Sequence, residues 1–200
     1  MYTEYLQSAF TSCWENLINQ HDKNTFRHMN ESVFRYLLVR QLLNLNPPFT
    51  VDDEWKRIDL FLQAKDSQAA IEIKFYDSRP LNPISGKVTY KGGAGQKNWS
   101  EFNNSLRGLL NLRDQPWHEK QFANIKNLYF ILIGTKREEL GYKGDFMEWY
   151  YPTNRMNVDF CSVHEVVSKT SRIDGMTVFG WLCKVIPHHR ELTDQRKTWR

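Results

Sequence analysis

The feature that most constrains the fold is the apolar segment 127–134, in which the run from Leu128 to Ile133 contains no charged residue. Such a run is far too short to cross a bilayer. A short apolar run of this kind, bounded by polar and turn-forming residues, is typical of a strand buried in a sheet. The segment therefore predicts an internal strand, and no association with a membrane is expected.

Three further segments have the apolar spacing of amphipathic helices. Residues 3–20 carry apolar side chains at intervals of three and four. Asn30 is a favourable N-cap for a second helix that runs to about Leu43, where a pair of prolines soon follows. Residues 98–112 predict a third helix.

Short strand-like segments complete the pattern. Residues 57–62 and 69–76 are apolar and separated by a turn-rich stretch, and residues 158–163 and 176–185 predict later strands. The order of elements predicts an α/β protein with a mixed central β-sheet flanked by helices. With 40% hydrophobic residues, the 200-residue chain is expected to form a single domain over residues 1–200.

Composition excludes several kinds of site. The three cysteines include no C-x-x-C pair, which argues against structural zinc and disulfides and favours free thiols in the cytoplasm. The six histidines lack ligand spacing, and no phosphate-binding loop motif occurs. The start of the chain shows no signal peptide. The net charge of +4 is only mildly basic and does not establish nucleic-acid binding.

Charged residues interrupt the two strand-like segments at 57–62 and 69–76. Glu72 and Lys74 point to the same face because side chains alternate along a strand. Asp59 lies in a strand that is otherwise apolar. If the two strands pair as a hairpin, Asp59 and Glu72 can face each other at one end of the sheet.

This combination of residues suits metal-assisted hydrolysis of a phosphodiester. Two neighbouring carboxylates repel each other, and a divalent cation removes that cost. Mg²⁺ prefers a few carboxylates together with water and phosphate oxygens. Lys74 can then polarise the attacking water or stabilise the negative charge of the transition state.

Asp59 followed by Glu72-Ile73-Lys74 resembles the motif of the restriction-endonuclease-like superfamily, PD-(D/E)XK. The resemblance implies a core with the order αβββαβ over residues 30–134, and Mg²⁺-dependent DNA cleavage in which Mn²⁺ can replace Mg²⁺. It implies that Asp59 and Glu72 bind the metal. Ile58 stands where the motif has proline. Residues 135–200 have no assigned role, with DNA recognition or dimerisation as the alternatives.

The family often has a further acidic metal ligand on the helix before these strands, and Glu31 is the candidate. It shares a helix face with Phe34 and Leu38, which should direct it toward the sheet. Alternatively, a carboxylate in the first turn simply stabilises the helix dipole. Glu15 is a weaker substitute, and the acidic residues 52–54 are expected to lie in a loop.

A glycine- and lysine-containing loop at residues 84–97 is the candidate DNA contact. Lys87, Lys91, Gln96 and Lys97 are placed where they can approach phosphates; an ordinary surface loop is the alternative. The aromatic patch at 147–151 can stack on bases, but packing in the core or at an interface is favoured.

The sequence thus predicts a Mg²⁺-dependent endonuclease acting on double-stranded DNA, of the type II restriction class and homodimeric by analogy. A structure-specific nuclease such as a Holliday junction resolvase shares the chemistry. The remaining alternative function is a catalytically silent DNA-binding or interaction module with the same fold. The motif can also match by chance, with Glu72 and Lys74 merely lying on a solvated face.

Overall fold

The computed structural model describes most of the chain. The described residues are 1–20, 29–55, 58–76, 79–81, 89–91, 96–114, 125–137, 160–173 and 176–188. Three helices occur in these ranges: α1 Tyr2–Gln20, α2 Glu31–Asn44 and α3 Gln96–Asp114. Eight strands are present: β1 Thr50–Trp55, β2 Ile58–Gln63, β3 Gln68–Tyr76, β4 Arg79–Leu81, β5 Thr89–Lys91, β6 Ile125–Arg137, β7 Cys161–Ile173 and β8 Met176–Pro187.

Six of the strands form one mixed sheet in the order β1-β2-β3-β6-β8-β7, and β4 and β5 form a separate hairpin. Strands β3 and β6 are parallel, whereas the other pairs in the sheet are antiparallel. A parallel pair requires a crossover connection. The segment between β3 and β6 contains α3, which packs against both strands. The protein is therefore a mixed α/β fold.

Helices cover both faces of the sheet. On one face, α1 and α2 contribute buried side chains such as Phe10 and Leu38, which pack with Leu60 and Ile71. On the other face, Phe102 of α3 belongs to a second buried cluster. The central strands are apolar on both faces, which agrees with the prediction of a buried strand at 127–134. Because both faces of these strands are buried, the backbone positions of Asp59 on β2 and of Glu72 and Lys74 on β3 are held by close packing.

The predicted helix boundaries are close to those observed. The helix predicted at 3–20 begins one residue earlier, and the helix predicted to end near Leu43 ends at Asn44. Asn30 is its N-cap, because its Oδ1 accepts a hydrogen bond from the backbone N–H of Val33 at 3.0 Å. This cap fixes the start of α2, and with it the position of Glu31.

Two segments predicted as loops are partly strand. Residues 52–54 lie in β1, which pairs with β2, and residues 89–91 of the predicted loop 84–97 form β5. β1 is an edge strand whose Asp52 and Asp53 side chains are exposed. An edge strand tolerates charges and need not show apolar alternation, so its sequence resembles that of a loop.

Ile58 also differs from expectation. The alternation of β2 predicts that Ile58, Leu60 and Leu62 share one apolar face. Leu60 and Leu62 pack with α1 and α2, whereas Ile58 packs in the cluster that contains α3. The start of β2 therefore departs from simple alternation just before Asp59.

The strand predicted at 176–185 is observed as β8, which ends two residues later. The strand predicted at 158–163 overlaps β7 only at residues 161–163, because β7 runs from Cys161 to Ile173. The three cysteines are free and buried, as predicted for unpaired thiols. None of the helices in the described ranges is long and apolar enough to span a membrane. The aromatic patch at 147–151 lies outside the described residues.

Candidate active site

Asp59 lies where the pairing of β2 with β3 ends. The last pair along this ladder is Leu60 with Ile71, and Asp59 and Glu72 are the next residues on the two strands. Its Oδ2 accepts a hydrogen bond from the backbone N–H of Ile73 at 2.7 Å. The carboxylate thus takes the place of a backbone acceptor at the end of the ladder, and this bond fixes its orientation.

Lys74 joins the neighbouring carboxylates. Its Nζ lies 2.8 Å from Glu72 Oε1 and 3.5 Å from Glu31 Oε2. It also donates a hydrogen bond to the backbone carbonyl of Ile73 at 3.1 Å. Glu72 and Lys74 share a face, as the strand period predicts. We call Glu31, Asp59, Glu72 and Lys74 the candidate site.

Glu31 reaches the candidate site from the first turn of α2. Its half-buried side chain is directed at Lys74, as its helix position predicts. Glu15, the weaker substitute, is exposed on α1. Of the acidic residues on β1, Asp52 and Asp53 are exposed, and Glu54 forms an ion pair with Arg35. Glu31 is therefore the additional carboxylate that the fold brings to the site.

Arg35 is a site residue that the sequence did not indicate. It lies one turn after Glu31 on α2, and its Nη1 donates to Asp59 Oδ1 at 2.8 Å. Its Nη2 contacts the carboxylate of Glu54, which has a positive φ of 51°. The sequence contains one indication of this position: Arg35 is four residues after Glu31, and residues four apart lie on the same face of a helix.

Ser105 is the second residue that was missed. It lies on α3, and its hydroxyl donates a hydrogen bond to the Glu72 carboxylate. Helix α3 covers the opposite face of the sheet from α1 and α2. Glu72 is thus linked to both helical layers. Ser105 of α3 contacts it directly, and Glu31 of α2 is connected to it through Lys74.

The pKa shifts in the candidate site follow from burial and from the charges that its groups exert on one another. Burial, with Asp59 adding to it, raises the pKa of Glu72 despite the opposing effect of Lys74. Burial also raises the pKa of Glu31, to which Asp59 and Glu72 contribute. Burial lowers the pKa of Lys74, but Glu72, Glu31 and Asp59 together raise it above its ordinary value. The site therefore favours an additional positive charge.

Within the described part of the chain, six charged side chains meet in this region: Glu31, Arg35, Glu54, Asp59, Glu72 and Lys74. With all groups ionised, four carboxylates and two cationic groups leave an excess of two negative charges. Hard carboxylate oxygens in negative excess fit Mg²⁺ chemically. Among the residues that the structure describes, no three His, Cys, Asp or Glu side chains are grouped so as to hold a metal ion. In this arrangement the carboxylates are paired with Arg35 and Lys74.

The residues predicted to contact DNA cannot be placed against the candidate site. Lys87 lies outside the described residues, and so do the side chains of Lys91, Gln96 and Lys97. The backbone of Lys91 ends β5, and Gln96 and Lys97 begin α3. Helix α3 thus starts two residues before the predicted boundary at 98.

The raised pKa of Glu72 has a consequence for stability in the absence of cations. When the pKa of a carboxyl group is raised in the folded state, the protein loses stability as that group ionises. The loss occurs as the pH rises from the unfolded-state pKa, ordinarily 4.5, through the folded-state pKa. Glu72→Gln does not titrate. We therefore expect the stability of Glu72→Gln relative to wild type to increase between about pH 4 and about pH 7.

Denaturant unfolding in EDTA at both pH values measures this difference, with Glu15→Gln, an exposed glutamate of α1, as the matched control. A relative stability that instead falls with pH would mean that the ion pair with Lys74 outweighs burial of Glu72.

The chain matches no protein-family model, no curated protein and no solved structure. What the candidate site can do is therefore inferred from its own residues and geometry.

Proposed function

We propose that the protein is a Mg²⁺-dependent endonuclease that hydrolyses phosphodiester bonds in DNA. One observation carries the proposal: Asp59 and Glu72 are the next residues beyond the last pair of two antiparallel strands, and the Lys74 ammonium group lies against Glu72. Glu31 adds a third carboxylate from α2. Carboxylates beside an ammonium group are what a metal-assisted phosphodiesterase requires.

Each residue has a defined part in this proposal. Asp59, Glu72 and Glu31 would hold the cation, and Mn²⁺ would replace Mg²⁺. The bound cation would supply neutralisation of the substrate phosphate and a water of lowered pKa. Lys74 would stabilise the negative charge that grows on the phosphate, and the Ile73 carbonyl and Glu72 hold its amine in place.

The order of elements supports a restriction-endonuclease-like core. Along the chain α2 is followed by β1, β2 and β3, then by the β4–β5 hairpin, α3 and β6. Apart from that hairpin, this is the order αβββαβ that the resemblance to the PD-(D/E)XK superfamily implies. The motif residues lie on the second and third strands of this series.

Substrate and assembly are proposed by analogy with that superfamily. We propose double-stranded DNA as the substrate, a type II restriction activity, and a homodimer that would cut both strands. Lys87, Lys91, Gln96 and Lys97 are the proposed phosphate contacts. Strands β7 and β8 extend the same sheet beyond β6, so this part of residues 135–200 would be in place to support recognition or dimerisation.

A cleavage panel tests the function. Purified protein is incubated with unmethylated phage DNA, supercoiled plasmid, a four-way DNA junction and RNA, each with Mg²⁺ or with EDTA. We expect discrete fragments from duplex DNA in Mg²⁺ alone, and sequencing of the fragment ends gives the recognition site. Preferred cutting of the junction would indicate a resolvase instead. Absence of cutting in every lane would indicate a silent binding module and contradict the proposal.

A further inference from the structure

The Asp59 carboxylate is already paired with a cationic group of the protein. Arg35 donates to Oδ1 at 2.8 Å and the Ile73 N–H to Oδ2 at 2.7 Å, so both oxygens are engaged. The side chains of Arg35 and Asp59 are only 11% and 9% exposed. The pair is thus largely shielded from water and held in one geometry.

Arg35 is also held by a second carboxylate, which lies outside the candidate site. Glu54 is 71% exposed and contacts the guanidinium Nη2, next to the nitrogen that binds Asp59. When Arg35 leaves Asp59, it can therefore keep an ion pair with Glu54 at the surface. The guanidinium of Arg35 thus has two partners. A cation would compete with it for Asp59, and Glu54 would retain it at the surface.

We propose that Arg35 is a built-in competitor of the divalent cation: it neutralises Asp59 in the cation-free protein and swings toward Glu54 when the cation binds. This inference rests on the proposed function, because it takes Asp59 as a cation ligand. A guanidinium and a divalent cation close to one carboxylate repel each other, so removal of the guanidinium charge strengthens cation binding. Arg35 therefore acts as a positioning residue that sets the cation affinity.

The test is Mn²⁺ binding to the full chain, measured by the loss of the free-ion electron paramagnetic resonance signal. Arg35→Gln removes the charge but retains an amide that can donate to Asp59. Its Mn²⁺ dissociation constant is expected to fall by about tenfold or more. Arg35→Lys restores the charge and is expected to bind Mn²⁺ about as weakly as wild type. Arg40→Gln, which removes an exposed arginine of the same helix, is the matched control.

A second measurement uses wild type alone, so the inference does not depend on the folding of a variant. Guanidinium NMR signals of Arg35 are followed as Mg²⁺ is added. Restricted rotation of the guanidinium in the Asp59 pair is expected to be lost as the cation binds. Signals that stay unchanged while Mn²⁺ or Mg²⁺ binds would overturn the inference.

The results separate this inference from the proposed function. Tighter Mn²⁺ binding by Arg35→Gln supports the inference. Equal or weaker binding by Arg35→Gln, with binding and Mg²⁺-dependent cleavage by wild type, overturns the inference and leaves the function standing. Absence of Mn²⁺ binding by wild type and variant alike, with or without DNA, overturns both.

Discussion

Lys74→Met is expected to lower the rate of the proposed Mg²⁺-dependent DNA cleavage by about 10³-fold. It removes the ammonium group that, among the described residues, lies between the Glu72 and Glu31 carboxylates. Rates are compared in single-turnover reactions with DNA below the protein concentration. Lys74→Arg keeps the positive charge but replaces the compact ammonium group between Glu72 and Glu31 with a larger planar guanidinium. It is expected to retain most of the stability and to lose most of the cleavage.

Lys65→Met is the control, because Lys65 is exposed in the turn between β2 and β3. It is expected to cleave like wild type. A Lys74→Met protein that also cleaves like wild type would show that Lys74 only balances the charge of Glu72 and Glu31. A Lys74→Arg protein with full activity would show that a positive charge at this place is sufficient.

The second large effect is on stability. Asp59→Ala, measured in EDTA, is expected to lower the free energy of unfolding by about 3–5 kcal/mol, the usual cost of removing one partner of a buried ion pair. The guanidinium of Arg35 would be left with the exposed Glu54 alone, and the Ile73 N–H would lose its acceptor. Urea unfolding monitored by tryptophan fluorescence gives the value.

A double-mutant cycle shows whether the loss comes from this pair. Arg35→Met/Asp59→Ala is expected to be clearly more stable than the sum of the two single losses predicts, since neither charge is then left alone. Asp52→Ala, at an exposed position of β1, is the control for removing an aspartate. If the stability losses of the two single variants are additive, Arg35 and Asp59 contribute independently. A small stability loss for Asp59→Ala would mean that the pair is not buried in solution.

The parts of the site that follow from local rules were predictable from the sequence. Glu72 and Lys74 lie two residues apart on a strand, so the side-chain alternation alone places them together. Glu31 follows a good N-cap, and its helix position gives its direction. Asp59 required the further assumption that β2 and β3 pair as a hairpin, which the short turn-rich connection favoured.

The parts that depend on how elements pack were not predictable. Arg35 meets Asp59 only because α2 lies against the end of the sheet where β1 and β2 pair. The edge strand β1 carries Asp52, Asp53 and Glu54 in succession, so no apolar alternation marks it. The ion pair between Arg35 and Asp59 therefore became visible only in three dimensions.

The central claim is that Glu31, Asp59 and Glu72 hold the cation on which cleavage depends. Its most direct test replaces Mg²⁺ with Fe²⁺ in the presence of ascorbate and peroxide, so that radicals formed at the bound ion cut the nearby polypeptide. We expect mass spectrometry to find cuts beside these three residues, and excess Mg²⁺ to suppress them. Cuts elsewhere in the chain, or cuts that Mg²⁺ does not suppress, would contradict the claim.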